Sequence, residues 1–411
     1  MILVFTPFLP YFASQLGASV LEIGLVGGAG NIVYSFMPFV MGRLANTAKA
    51  RRLLVVSSLV LLTIVSFLYF TANSPIVLIL LKLFEGLGWS TFWPAIEATL
   101  THDPTRDSKR SLATFNFSWS GAAAVGPLFG ALLAFVLTIR ELFLVTTILL
   151  FATLILNLTW IEASRRNSAS GAENHNGQDT IGEAEAEVVK TESKVPEEED
   201  RLGVPRKISP SFYLVAMALC AVSSSILLTF ISPFGKSIGM SILMIGIASS
   251  VFGFARFGFY FLTTKRGIRY FLFNHERRVT LVLFAISVIS LSSLLIMLPN
   301  QLSTGIYLIS FAVVGIGYSV VYSIAQVALV AETSPEKMGT GAGLFESSIG
   351  VGGASGPVIA GVISGKSLII PFITPTLCLL PALVILYFIL GRDGKARKLL
   401  PTQSGRDSSM N

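Results

Sequence analysis

Continuous apolar runs of about twenty residues constrain this chain more than any other feature. A run of that length forms one helix that crosses the hydrocarbon core of a bilayer, with its backbone polar groups bonded inside the helix. The runs lack the alternation of barrel strands, so we predict an all-α polytopic membrane protein with 12 transmembrane helices in two sets of six. The predicted spans are 1–17, 19–42, 53–72, 75–98, 110–137, 140–161, 210–233, 239–263, 279–298, 302–331, 338–364 and 367–391.

Composition excludes several other classes of protein. Hydrophobic residues make up 53% of the chain and charged residues 13%, whereas soluble domains carry about 25% charged residues. The only two cysteines, Cys220 and Cys378, lie inside apolar runs, and the three histidines lie in polar connectors. We therefore expect no disulfide framework, no metal site and no cofactor.

Lysine and arginine are concentrated in the loops that a cytoplasmic N-terminus would place inside the cell, and in the C-terminal tail. This bias predicts a multi-pass protein of the cell membrane with both termini in the cytoplasm. The basic loops suit contact with anionic lipid headgroups, and no motif indicates nucleic acid. The first span starts at Met1 and is short, so either it is thin at its start or the natural chain begins upstream.

Residues 163–208 interrupt the apolar pattern with serine, glycine and an acidic run at 197–200. Such a composition favours disorder, so we predict a cytoplasmic linker there, either a passive tether or a regulatory segment. The predicted domains are an N-terminal six-helix bundle (1–162), the linker (163–208), a C-terminal six-helix bundle (209–391) and a cytoplasmic tail (392–411).

The two bundles read as copies of one another. The string GLGWS at 86–90 matches GIGYS at 315–319, and the Gly-Pro pair at 126–127 matches the pair at 356–357. The start of the second helix, at Ser19, matches the start of the eighth, at Ser241. These matches predict two parallel repeats related by an axis along the membrane normal.

Aromatic and polar residues recur at spacings of four on the fourth and tenth predicted helices. Residues four apart share one helix face, so each helix carries a stripe of two aromatic side chains and one polar side chain. A polar stripe in lipid is most stable when it faces a cavity, although aromatic packing or interfacial anchoring would also explain it. The candidate substrate-binding residues are Trp89, Trp93, Asn116, Tyr318, Tyr322 and Gln326.

Ionisable residues are rare within the predicted spans, and each is a candidate functional group because a charge in the bilayer is costly. Lys82 and Glu85 are three residues apart and can pair, either as a structural ion pair or as a proton-exchanging carboxyl with its electrostatic switch. Glu346 aligns with Asn116 of the first copy, and we expect Arg256 to be its partner. These four residues are the proton-coupling candidates.

Several of these segments resemble the major facilitator superfamily over nearly the whole chain. GRLAN at 42–46, followed by Arg51 and Arg52, resembles that family's loop between helices 2 and 3, although Asn46 replaces the usual acid. The resemblance implies a latch on the cytoplasmic side that is weak or differently made here. The glycine-proline segments resemble a signature found mainly in exporters. The residues expected to gate or bend are Gly42, Arg43, Asn46, Arg51, Gly126, Pro127, Gly356 and Pro357.

The resemblance implies a secondary active transporter in which two bundles rock around a central site. We expect a monomeric antiporter that exchanges protons for a small apolar or cationic solute in the direction of efflux. The alternatives are an importer of a sugar or an organic acid and a non-transporting receptor or scaffold. The predicted spans contain no cluster of histidine or aspartate residues, so we do not expect an enzyme.

Overall fold

The computed structural model describes residues 4–101, 108–174, 209–263, 275–298, 303–333 and 337–398, and no strand occurs in these ranges. Ten of the described helices are long and apolar enough to cross a membrane, and with the helices Leu9–Gln15 and Ser108–Leu133 they are consistent with the predicted twelve-helix bundle. Short 3-10 segments occur at Thr6–Phe8, Ser293–Met297 and Ile370–Ile373. The helices are α1 (Leu9–Gln15), α2 (Val20–Leu44), α3 (Ala48–Thr71), α4 (Pro75–Thr101), α5 (Ser108–Leu133), α6 (Ile139–Asn174), α7 (Pro210–Ser237), α8 (Ile242–Thr263), α9 (His275–Ser292), α10 (Ser303–Glu332), α11 (Met338–Ser364) and α12 (Thr374–Lys398).

The duplication is visible at the starts of α2 and α8. Gly17 and Gly239 precede these helices with φ of 84° and 83°, a backbone conformation that glycine adopts without strain. Two residues later, the hydroxyl of Ser19 accepts a hydrogen bond from the N–H of Glu22, and that of Ser241 accepts one from Met244. Both repeats therefore turn into their second helix through the same glycine and the same N-cap.

Helix α2 is interrupted after Tyr34 and resumes at Met37. Pro38 has no N–H and cannot bond to the carbonyl of Tyr34, four residues earlier, so the ladder breaks at this point. The backbone of Tyr34 instead lies against Gly350 of α11. The break thus places Tyr34 beside the other half of the molecule.

Helix α6 continues to Asn174, past the predicted start of the linker at residue 163. The rest of that predicted linker, 175–208, lies outside the described residues, as do most of the predicted tail and the three residues before Val4.

The two halves meet along two helix pairs, α2 with α11 and α5 with α8, which have the most extensive helix contacts in the described structure. The fifth and eleventh helices, which carry the two Gly-Pro pairs, thus both lie between the halves. Small residues allow the approach: Gly24 lies against the carbonyl of Pro357, and Gly253 lies against the backbone of Ala123 and Ala124. Pro127 lies inside α5 as Pro357 does inside α11, and bending at these sites stays a prediction.

One helix of each half also packs against the hydrophobic core of the other half. Val20 and Ile23 of α2 pack with the hydrophobic core of the second half, while Ile245 of α8 packs with that of the first. Large apolar side chains such as Phe135, Val136 and Ile148 remain exposed on the outside, as expected for a surface covered by lipid.

Candidate functional site

The predicted stripe on α4 forms a stack of indole rings. Trp89 and Trp93 stack with their ring centroids 5.5 Å apart and their planes inclined by 15°. Trp93 also stacks on Trp119 of α5, at 5.9 Å and 20°. Trp119 was not among the predicted site residues, although it lies three residues after Asn116 and so on the same side of α5.

The stripe on α10 forms a matching stack in the second half. Tyr318 and Tyr322 stack at 6.0 Å and 24°, and both side chains are buried. The guanidinium of Arg256, on α8, lies between the two stacks, 5.0 Å from the ring of Trp119 and 4.7 Å from that of Tyr318. We call this set the aromatic column: Trp89, Trp93, Trp119, Arg256, Tyr318 and Tyr322.

The predicted ion pair between Arg256 and Glu346 is wrong. Glu346 instead accepts hydrogen bonds from the hydroxyl of Tyr34 at 2.5 Å and from that of Tyr322 at 3.5 Å. The interrupted helix α2 brings Tyr34 to this carboxyl, and an interaction across helices that are so distant in the sequence was not foreseeable. Arg256 makes no ion pair with a described carboxyl, and its buried Nε has no hydrogen-bond partner.

A second set of polar side chains links the halves next to the aromatic column. Glu97 Oε1 accepts from Gln326 Nε2 at 3.0 Å and lies 3.4 Å from the hydroxyl of Tyr322. Gln326 Oε1 accepts in turn from Asn116 Nδ2 at 2.8 Å. We call this set the polar cluster: Tyr34, Glu97, Asn116, Tyr322, Gln326 and Glu346.

The polar cluster combines three residues from each half, and all six side chains are buried. Buried polar groups are stable only when they are hydrogen-bonded, so the bonds across the interface favour the arrangement in which the halves are together at this level. Both carboxyls approach the same Tyr322 hydroxyl, which carries a single proton to donate.

The predicted pairing of Lys82 with Glu85 is confirmed, with Nζ 2.9 Å from Oε1. Glu85 also accepts from the hydroxyl of Tyr69 at 2.6 Å and from the indole N–H of Trp89 at 3.3 Å. All of these donors belong to the first half, on α3 and α4. The pair therefore connects neighbouring helices of one half rather than the two halves.

The loop between α2 and α3 is held by Arg51, which donates to the carbonyls of Ala45 and Asn46 at 3.2 and 3.4 Å. This contact satisfies carbonyl groups at the end of α2, which no longer have partners within the helix. Asn46 Oδ1 is buried without a hydrogen-bond partner, next to Gly339 of α11. Arg43 instead lies over the ring of Phe39, 4.1 Å from its centroid.

Glycine backbones bring α2 and α11 together at this end of the bundle. Gly42 lies against the carbonyl of Gly339, and Gly343 lies against that of Pro38. At the other end of α11, Gly356 lies against the carbonyl of Val222 on α7. In the described part of the chain, no group of His, Cys, Asp and Glu residues could hold a metal ion.

Comparisons with known proteins agree with this geometry. The Major Facilitator Superfamily profile matches residues 1–357 and, in a second match, residues 213–409. A crystal structure of a point mutant of the nucleoside transporter NupG is similar, with a TM-score of 0.65 at 15% identity over 95% of each chain. Unmutated NupG has a TM-score of 0.60 at 16% identity, covering 95% of this chain and 97% of that one.

The human organic anion transporter MFSD10 (TETRAN) is a further structural neighbour, with a TM-score of 0.57 at 16% identity, covering 93% of this chain and 89% of that one. No curated protein sequence matches the chain. Similarity at these identities shows the fold alone.

Proposed function

The chain belongs to the Major Facilitator Superfamily, and from that membership we propose that it is a secondary active transporter that moves a small solute by alternating access. The observation that supports this proposal most is the polar cluster, in which each half contributes one carboxyl, Glu97 and Glu346, to a shared tyrosine hydroxyl. A rocking motion of the halves would separate the two carboxyls.

We propose that transport is coupled to protons, and the hydrogen bonds of the polar cluster support this. The single proton of the Tyr322 hydroxyl can be donated to only one carboxyl, so a hydrogen bond to the second requires that carboxyl to carry a proton itself. If both carboxyls were unprotonated while they share the Tyr322 hydroxyl, their negative charges would repel one another in a medium that screens charge poorly. We infer that the pair binds a proton while the halves are together and releases it when they separate.

This assignment shifts the coupling role away from Lys82 and Glu85. Their contacts lie within the first half and need not change when the halves move. We propose that they form a structural ion pair, and that Glu346 and Glu97 carry the coupling proton.

The solute is proposed to lie near the aromatic column, because its rings come from both halves. The cation–π position between Trp119 and Tyr318 is already taken by Arg256, which disfavours a cationic solute there. Of the solute classes that the sequence left open, an organic acid fits this charge better. The structural neighbours act on nucleosides and on organic anions by their names, and so do not decide between solutes.

Efflux is the proposed direction, because the glycine-proline segments of α5 and α11 resemble a signature found mainly in exporters. A monomer in the cell membrane, with both termini in the cytoplasm, is the proposed assembly. The charge bias of the loops supports this orientation.

Transport by purified protein in lipid vesicles tests the proposal. An imposed pH gradient should drive accumulation of a solute from a panel that includes organic acids, amines and nucleosides. Glu346→Gln should abolish this accumulation and retain the exchange of labelled for unlabelled solute, because the amide binds no proton yet keeps the shape of the side chain. The matched control is Glu141→Gln, a partly exposed carboxyl that accepts from Thr138 at the start of α6, which should transport normally.

Two results would contradict the proposal. Accumulation against a gradient by Glu346→Gln would remove this carboxyl from proton coupling. A folded protein that moves none of the panel under any gradient would favour the receptor or scaffold alternative.

A further inference from the structure

Arg256 is a buried cation that makes no direct contact with an acid in the described part of the chain. Its side chain is 7% exposed, it makes no ion pair with a described carboxyl, and its Nε–H has no hydrogen-bond partner. An arginine buried in a helical membrane protein is costly unless it pairs, and such residues commonly mark a substrate or ion pathway. The positive charge of Arg256 is therefore not neutralised by a described carboxylate in direct contact, and an anion bound here would be stabilised.

A second donor without a partner lies beside it. Tyr260 follows Arg256 by one turn on α8 and shares its helix face, and its hydroxyl oxygen lies close enough to the guanidinium to accept a weak hydrogen bond from it. The hydroxyl is buried, and its own O–H proton has no acceptor. A buried donor without an acceptor destabilises a protein by about 1–3 kcal/mol, so an acceptor that reached both of these donors would be stabilised here.

Glu346, whose charge acts on Arg256, does not contact the guanidinium directly. Glu346 is bonded to Tyr34 and Tyr322, and the ring of Tyr322 lies 5.9 Å from the guanidinium of Arg256. Its charge attracts Arg256 at longer range, while the Arg256 Nε–H remains without a partner. A ligand with oxygen acceptors would satisfy this donor directly.

The surroundings restrict what that partner can be. Four aromatic rings lie within 5.9 Å of the guanidinium: Trp119 from the first half and Phe252, Tyr318 and Tyr322 from the second. Such rings exclude water from the cation and present flat apolar faces on both sides. Because Trp119 and Tyr318 belong to opposite halves, a separation of the halves would expose the guanidinium between them.

We propose that Arg256 and Tyr260 bind the anionic group of an organic solute, a carboxylate or a phosphonate, whose apolar or aromatic body packs on Trp119 and Tyr318. The anion accepts from Arg256 Nε–H and from the Tyr260 hydroxyl at once, as a group with two oxygens can. This inference rests on the proposed transport function, since it names the solute class.

Binding to the purified full-length protein tests the inference without requiring transport. The probes form a matched series on one ring: benzoate and phenylphosphonate carry the negative charge, benzamide is neutral and benzylamine is positive. Tryptophan fluorescence and the unfolding temperature report binding, because Trp119 lies against Arg256. Benzoate or phenylphosphonate should saturate the fluorescence change and raise the unfolding temperature, whereas benzamide and benzylamine should do neither.

Two variants, each with a matched control, assign the site. Arg256→Gln should weaken benzoate binding by at least about tenfold, a loss of about 1.4 kcal/mol. Arg140→Gln should leave the affinity unchanged, because Arg140 also lies over a ring, that of Phe12, but already donates to Phe70, Ala72 and Asn73. Tyr260→Phe should weaken binding several-fold without lowering the unfolding temperature of the free protein, since it removes an unpaired hydroxyl.

Tyr307→Phe is the control for that second variant. The Tyr307 hydroxyl is likewise buried without a partner, but its ring packs against Phe234 and makes no ring contact with the aromatic column. Its removal should leave benzoate affinity unchanged. If Arg256→Gln does not fold, Tyr260→Phe and Arg256→Lys carry the test, and both should bind benzoate more weakly than the unmodified protein.

The results that would overturn the anion site differ from those that would refute the transport proposal. Equal stabilisation by benzamide and benzoate, or unchanged benzoate affinity in both Arg256 and Tyr260 variants, would overturn the inference. Stabilisation by chloride alone, or by vesicles containing phosphatidylglycerol alone, would also overturn it and assign the site to an inorganic ion or a lipid headgroup. Benzoate binding at Arg256 in a protein that moves no solute would refute transport while leaving the anion site standing.

Discussion

At the scale of single residues, Glu85 illustrates how a charge is accommodated inside a membrane helix. Its carboxyl receives bonds from Lys82, Tyr69 and Trp89, so both oxygens are occupied and the charge is neutralised in place. The long side chain of Lys82 is 14% exposed and Glu85 is nearly fully buried. Such a pair is stable as a unit, and removing one member leaves the other charge uncompensated.

Glu85→Gln is therefore expected to lower stability by on the order of 3 kcal/mol, which thermal unfolding in detergent would detect. The double variant Lys82→Met with Glu85→Gln should recover most of this loss, because no unpaired charge remains. Both variants should keep gradient-driven transport in vesicles. A stable Glu85→Gln protein that exchanges solute but no longer accumulates it would return the coupling role to Glu85.

At the scale of helices, small residues decide how closely the two halves approach. On α8, Gly253 lies against the backbone of Ala123 and Ala124. A Cβ atom at Gly246 would lie 2.9 Å from the carbonyl oxygen of Pro127. Contacts between backbones leave no room for a side chain, and the close packing of interior atoms makes even a methyl group significant.

Gly253→Ala is expected to push α5 and α8 apart, with a loss of about 1–3 kcal/mol in stability and at least a tenfold loss of transport. Gly258→Ala, five residues further along the same helix, is the matched control because nothing lies within 4 Å of a Cβ at that position. Transport rates in vesicles and unfolding temperatures would compare the two. Equal effects of both substitutions would show that helix propensity, rather than the contact, determines the result.

At the scale of the whole molecule, the halves are joined by more than their linker. Helix α2 packs into the core of the second half and α8 into that of the first, in addition to the α2–α11 and α5–α8 contacts. These contacts are symmetric in position, as the duplication predicts, although the residues that face one another differ between the two copies.

A protease site introduced within residues 175–208 tests whether the linker is a passive tether. After cleavage, the two fragments should elute together, and transport in vesicles should persist at a similar rate, because the helix contacts hold the halves in place. Protease added outside intact cells should not cut this site, since the loop charges predict that it is cytoplasmic. Separation of the fragments, or cleavage from outside, would contradict these expectations.

Contacts between residues one turn apart on the same helix are predictable from the sequence, because helix geometry alone sets these neighbours. The stacks of Trp89 on Trp93 and of Tyr318 on Tyr322, and the pairing of Lys82 with Glu85, depend only on spacings of three or four along one helix. The number of spanning helices and the duplication likewise follow from apolar runs and repeated strings, both of which are local patterns.

Only the tertiary structure decided which side chains meet across helices. The rotation and depth of each helix depend on packing with its neighbours, and these set whether Glu346 reaches Arg256 or Tyr34. The break at Pro38 and the glycine contacts of α11 bring Tyr34 to Glu346, which leaves Arg256 among aromatic rings instead of paired with the acid. The sequence by itself thus determined the helices and the stripes they carry, and packing between helices decided which charges are satisfied.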